Sequence, residues 1–232
     1  MPTKITLTST PVVDTIPNTS GDEDAFNFLV VTAKNISGDV DLISQISSAV
    51  TPGITTIVLI QNGLNIERPY LDRFPNNVIL SGISMIGSEE TKPGFINHTF
   101  SDHLTIGSFP NPNLDPIVEV EEAQKFVSIY SAGGKTRCVY DKHLLWNRWK
   151  KLVYNSTMNP ICAITGLNAG KIKLAGPSIS ALVHDAMREI EAAAKASGYE
   201  LPEDIVEFMS NIDSPEDQFA PSMLQDVRKV LH

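Results

Sequence analysis

Between Leu144 and Pro160 the chain reads Leu-Leu-Trp-Asn-Arg-Trp-Lys-Lys-Leu-Val-Tyr-Asn-Ser-Thr-Met-Asn-Pro, with polar residues spaced for joint action. Lys151, Asn155 and Asn159 stand at i, i+4 and i+8. On a continuous helix Asn155 lies about 40° from Lys151 and Asn159 about 80°, whereas Lys150 points about 140° away from Asn155. One face therefore holds an ammonium and two carboxamides, flanked by Trp149, Leu152, Val153 and Met158. Polar groups in an apolar surround need partners. A polar ligand could be that partner; a solvated helix face is the competing reading.

Other stretches carry weaker signals. Gln61-Asn62-Gly63 follows a run that reads as a buried strand. Ligands of open α/β sheets bind beyond the carboxyl ends of strands, and an asparagine there offers both a donor and an acceptor. Asn-Gly is equally a favoured turn pair. Ser222 opens the final expected helix after Pro221, a position where serine usually caps. Gly133-Gly134-Lys135-Thr136 suggests a phosphate loop, but that pattern needs a glycine five positions before Gly134, where Ile129 stands. It also joins two expected helical regions, which favours a flexible loop. No G-x-G-x-x-G occurs, so the turn that seats a pyrophosphate on a helix N-terminus is missing from this sequence.

The elements that must position these residues divide by character. Residues 1–25 form a polar segment in which only Ile5 and Leu7 suit a short strand. Buried strands are expected over 26–32, 55–60 and 78–86, with helices over 39–50 and 66–74 between them. That alternation predicts a parallel sheet. Segments 95–100 and 104–109 read as an edge hairpin or ribbon. Proline and asparagine crowd 109–116, which sets a domain boundary near residue 112. Beyond it helices are expected over 118–131, 141–158, 178–197, 203–211 and 221–231, with Ser178 as a cap. The fold class is thus α/β: a partial Rossmann-like parallel sheet domain over 26–112, then a mostly α-helical C-terminal domain over 113–232.

Composition narrows the partners. The 232 residues carry a formal net charge of −9, which speaks against nucleic acid. Cys138 and Cys162 match neither a disulfide framework nor a zinc spacing, so no metal is expected and a reducing compartment is the default. The N-terminus has no secretory pattern, and no apolar run approaches the roughly 20 residues of a membrane span. A cytoplasmic location follows as the expectation.

Taken in order, Phe28-Leu-Val-Val-Thr-Ala-Lys34, Gln61-Asn62-Gly63, Trp149-Lys-Lys151-Leu-Val-Tyr-Asn155-Ser-Thr-Met-Asn159-Pro160 and Ser222-Met-Leu-Gln-Asp226 resemble the ketopantoate reductase (2-dehydropantoate 2-reductase) family. The resemblance runs over about residues 26–229. It implies a Rossmann domain joined to a helical domain, and NADPH-dependent reduction of 2-dehydropantoate to pantoate on the way to pantothenate and coenzyme A. Carried over by position, Lys34, Asn62 and Ser88 contact the cofactor NADP. Lys151 is the proton donor, and Asn155, Asn159 and Ser222 hold the small-molecule 2-keto acid. A homodimer is compatible with the family.

Three departures accompany the resemblance. The family's glycine-rich motif belongs to a first strand–turn–helix unit, and this sequence starts after it. The family's Thr-Glu-Ile-Asp segment follows the Ser-Met-Leu-Gln-Asp helix, and this sequence ends at Val230-Leu-His232 before that glutamate. The family's substrate-contacting asparagine in the loop after the helix aligns with Ala169, or with Asn168 under a one-residue shift. The expectation is that the chain as written binds NADPH weakly or not at all. The alternatives are a non-catalytic relative acting as a binding or regulatory protein, and a reductase of another 2-keto acid.

Overall fold

A computed structural model describes residues 11–19, 25–36 and 41–230. The strand suggested by Ile5 and Leu7 lies outside them, as do residues 39 and 40 of the first expected helix. The chain divides into two compact units, Met1–Asp141 and Lys142–His232.

The first unit is built on a five-stranded, mostly parallel sheet. Its strands are β1 (Phe28–Val31), β2 (Thr56–Leu59), β3 (Ile79–Lys92), β4 (Phe95–Ser108) and β5 (Arg137–Tyr140), and they lie in that order across the sheet. β1, β2 and β3 run parallel, β4 returns antiparallel to β3, and β5 pairs parallel to β4. β2 is buried at every residue, as the unbroken Thr-Ile-Val-Leu run requires of a strand covered on both faces. On one face Val58, Val78, Leu80, Leu104, Ile106 and Cys138 pack with Ala123 and Phe126 of α3 (Pro116–Ser131). By strand alternation Ile57, Leu59 and Ile79 point to the other face, and all three are fully buried. Short helices α1 (Leu42–Ile46) and α2 (Arg68–Arg73) follow β1 and β2.

The proline- and asparagine-rich stretch does not end the sheet unit. Asn111 donates from Nδ2 to the carbonyls of Pro75 and Asn77 (2.9 and 3.2 Å), and its backbone N–H donates to Glu119 Oε1 (2.8 Å). Asp115 then caps α3 by accepting from the Ile117 N–H. Because α3 lies on the sheet and β5 extends it, the chain divides after Asp141, whereas its composition changes near residue 112. The stretch Gly133–Thr136 consequently leads from a helix into β5, the reverse of a phosphate loop's strand-to-helix order.

The second unit is helical: α4 (Leu144–Asn155), α5 (Met158–Thr165), α6 (Ala169–Leu174), α7 (Pro177–Ala196), α8 (Ile205–Ser210) and α9 (Ser222–Val230). Val153, Met158, Cys162, Ile172, Val183, Met187, Ile205 and Leu224 form its core. α7 opens with Pro177 at its first turn after Gly176, so Ser178 stands inside the helix and does not cap it. Trp146 donates from Nε1 to the Glu200 carbonyl (2.7 Å), and Trp149 stacks beside Tyr199 at 6.2 Å. Both tryptophans are half-buried.

Gly170 of α6 marks a close approach of backbone to backbone. A Cβ added there would stand 2.5 Å from the Pro215 carbonyl oxygen and 2.6 Å from that of Asp217. Neither atom can move without its loop. Gly170→Ala is therefore expected to destabilise the protein by about 1–3 kcal/mol, read as a lowered urea midpoint. An unchanged midpoint would show that the 215–217 backbone yields freely.

Candidate functional site

The first unit gathers polar groups at the carboxyl ends of β1 and β2. Val31 and Leu59 are paired at the same level, and the Ile60 N–H donates to the Val31 carbonyl (3.1 Å). Gln61, 7% exposed, donates from Nε2 to the Ala33 carbonyl (2.5 Å). That bond ties the turn after β2 to the segment after β1. Lys34 and Asn62, each three residues beyond its strand, consequently share the carboxyl edge of the sheet, and both are exposed. Gly63 completes the turn at φ +127, where a side chain would press on Ile66 Cγ2 at 2.8 Å. Beneath it Glu67 is fully buried and accepts a 2.5 Å hydrogen bond from Ser81 Oγ. An ammonium and a carboxamide suit an anionic ligand rich in hydrogen-bonding groups, as a phosphorylated cofactor is.

Ser88 lies on β3. β3 pairs with β2 only up to Ser81, opposite Leu59, and then continues into a long hairpin with β4. Ser88 pairs with His98 in that hairpin. Seven residues at about 3.3 Å each carry it about 23 Å along the strand from Ser81.

In the second unit Lys151 and Asn155 lie on α4, as the sequence predicts, and both are half-buried. Asn159 does not continue their helix. α4 ends at Asn155, and α5 starts at Met158 after Thr157 at φ −113, ψ −64. Pro160 is the physical reason: it has no N–H to give the carbonyl four residues earlier, and its ring crowds that carbonyl. Within the first turn of a new helix the same proline is tolerated. The single-helix wheel therefore holds for Lys151 and Asn155, while Asn159, 8% exposed, is carried in by α5. α5 packs against both α4 and α9, and Ser222 is the exposed first residue of α9.

Electrostatics single out Lys151. Burial, and after it the neighbouring Arg148 guanidinium, lower its pKa to about 8. Lys150 is engaged differently, with Nζ 5.8 Å from the Trp146 ring and 5.1 Å from that of Phe208. Tyr154 Oη donates to Asp213 (2.5 Å), and burial raises the pKa of both groups. Asn168 is occupied structurally: it caps α6 by accepting from the Lys171 N–H (2.9 Å) and donates to Gln218 (3.0 Å). Ala169 is fully buried. Sequence reasoning passes over Arg148 and Glu67; their signal is a charged residue at an otherwise buried position, visible only once burial is known. Among the described residues no group of three or more His, Cys, Asp or Glu side chains could hold a metal ion.

A mostly parallel α/β unit with donors at its strand ends, followed by a helical unit carrying a lysine–asparagine face, defines a two-unit α/β class. Residues 3–111 match the family described as ketopantoate reductase PanE/ApbA, and residues 143–231 match its C-terminal part. The chain belongs to the ketopantoate reductase family. It is 32% identical over 231 residues to the uncharacterized protein YDL144C of Saccharomyces cerevisiae, covering 90% of this chain and 63% of that one. The 2-dehydropantoate 2-reductase of Methylococcus capsulatus superposes with a TM-score of 0.73 at 28% identity, over 89% of this chain and 63% of that one. A D-mandelate dehydrogenase solved with NADH and anilino(oxo)acetate shares the fold, with a TM-score of 0.74 at 20% identity over 90% of this chain and 64% of that one. The chain thus spans less than two thirds of the length of these relatives.

Proposed function

We propose that the protein reduces a 2-keto acid with NADPH, 2-dehydropantoate being the substrate and pantoate the product. The observation that carries this reading is Lys151: a half-buried ammonium with its pKa lowered to about 8, on the same helix as Asn155. NADPH, when bound, supplies the hydride. Lys34 and Asn62 are the residues that would hold it, through charge and hydrogen bonding at the sheet's carboxyl edge. As the keto carbon becomes tetrahedral its oxygen gains negative charge, which the Lys151 ammonium stabilises and then neutralises by giving up a proton. The neutral amine recovers its proton from solvent. Asn155, Asn159 and Ser222 orient the acid's carboxylate and hydroxyl groups without adding negative charge that would repel them. Pantothenate synthesis, a cytoplasmic location and a homodimer belong to the same reading, the last checked by light scattering.

The test is oxidation of NADPH and of NADH by purified protein, each with 2-dehydropantoate and with an aryl oxoacetate. Turnover of 2-dehydropantoate with NADPH supports the proposal; preference for NADH or for the aryl acid replaces it with another 2-keto acid reductase. No turnover at saturating cofactor would leave the protein a binding member of its family. The pH profile adds a further expectation. The donor must be protonated, so activity is held below the Lys151 pKa and lost above it. kcat/KM is expected to fall about tenfold per pH unit beyond about 8. A profile flat through that range would remove Lys151 as donor.

A further inference from the structure

We propose that Asp213 is a positioning residue that holds Asn155 and Ser222 in register with each other: through Tyr154 it ties the segment leading into Ser222 to the turn of α4 that carries Asn155. This rests on reading Asn155 and Ser222 as groups that hold the keto acid. Residues 211–221 join α8 to α9. The connection is longer than the roughly 2–8 residues usual between packed helices. Along it, exposure reverses the ordinary pattern. Ile212 and Phe219 are 53% and 52% exposed, while Asp213 is half-buried. A carboxylate turned inward needs a donor, and Tyr154 Oη supplies it at 2.5 Å. Tyr154 directly precedes Asn155, the last residue of α4. The bond therefore acts on the turn where that helix ends.

From Asp213 onward the segment is fastened step by step as far as α9. Lys173 of α6 donates from Nζ to the Asp213 carbonyl (2.7 Å) and to Asn211 Oδ1 (3.3 Å). The Ser214 N–H donates to Asp217 Oδ2 (2.7 Å), and Asn168 Nδ2 to Gln218 Oε1 (3.0 Å). The Phe219 carbonyl accepts from the Ala169 N–H (3.1 Å). Gln225 of α9 donates from Nε2 to the Ala220 carbonyl (2.8 Å) and from its N–H to that of Pro221 (3.1 Å). α6 thus holds the middle of the segment, α9 holds its end, and Asp213 links the run to α4. Ser222 follows directly. Packing of α5 against α4 and α9 keeps the helices together. Groups that hold a ligand must be placed to within about 0.5 Å, and that finer placement is what the Tyr154–Asp213 bond supplies.

The experiment is amide hydrogen exchange of the purified chain without ligand, read by peptide mass spectrometry, together with steady-state reduction of 2-dehydropantoate. Asp213→Ala, or Tyr154→Phe if the first does not fold, should speed exchange about 10–100-fold at the end of α4 and over 213–222. Peptides of α7 around Met187 should keep the parent's rate. Asp213→Asn, which retains an acceptor for the Tyr154 hydroxyl, should restore most of the protection. In turnover, Asp213→Ala should raise KM about tenfold with kcat within about threefold of the parent, and Asp213→Asn should bring KM back. Unchanged exchange in Asp213→Ala and Tyr154→Phe overturns the proposal. So does equal acceleration in α7, which would make the bond a general support of the helical unit, or a KM unmoved in Asp213→Ala. Exchange needs neither cofactor nor substrate. A protein with the local exchange pattern but no turnover loses the reductase reading and keeps Asp213 as the tie between Asn155 and Ser222.

Discussion

Replacing Lys151 by alanine is expected to slow keto-acid reduction about 10²–10⁴-fold, whereas Lys150→Ala should leave the rate near that of the parent. The two lysines are adjacent in sequence and both half-buried, but their surroundings differ. Lys151 is half-buried on the face that also carries Asn155, and its pKa of about 8 leaves it protonated at neutral pH yet able to give the proton up. Without it the developing alkoxide meets no ammonium, and the barrier rises by the full worth of a positioned proton donor. Lys150 sits over the rings of Trp146 and Phe208. Its loss removes a cation–π contact worth about 0.5–2 kcal/mol in stability and nothing in the reaction. The measurement is the initial rate of NADPH oxidation with 2-dehydropantoate at fixed, saturating cofactor for both variants. If Lys150→Ala proved the more damaging, every assignment drawn from α4 would shift by one residue and have to be withdrawn.

The second large effect is on stability. Met187→Ala is expected to cost about 2–5 kcal/mol, because the side chain is fully buried in the core of the helical unit. Met187→Leu, which nearly conserves volume, should cost less than about 1.5 kcal/mol. Both tryptophans, Trp146 and Trp149, lie on α4 in that same unit, so their emission reports on it directly. A urea titration should show one cooperative transition whose midpoint falls steeply in the alanine variant and slightly in the leucine variant. A gradual, non-cooperative response in the parent would mean that the helical unit has no packed core of its own. Equal midpoints in all three proteins would mean that Met187 does not bear on it.

How much of this was legible beforehand depends on whether the deciding force was local. Strand-sized runs such as Thr56–Leu59 and helical periodicity such as that of α7 were readable because a buried run or an amphipathic stripe declares itself in composition. The same holds for the spacing of Lys151 and Asn155, and for the family motif they belong to. β5 was not readable. Arg137-Cys-Val-Tyr is four residues long, and only pairing with β4 makes it a strand. The break before Pro160 could have been read locally, since a proline forbids the hydrogen bond four residues back; a strict wheel count ran past it.

The sequence by itself determined most of the kinds of element, the order of the motifs, the family, and which of two adjacent lysines shares a face with Asn155. Those properties depend on neighbours within a turn or two of chain. Tertiary structure alone decided that α3 belongs with the sheet, that Gln61 binds the ends of β1 and β2 together, and that Ser88 rides out on the hairpin. It also decided that a helix of unremarkable composition would bury the guanidinium of Arg148 one turn from Lys151. Burial, and with it the pKa of an ionisable group, is set by what packs against a residue from distant parts of the chain, and no local spacing encodes that.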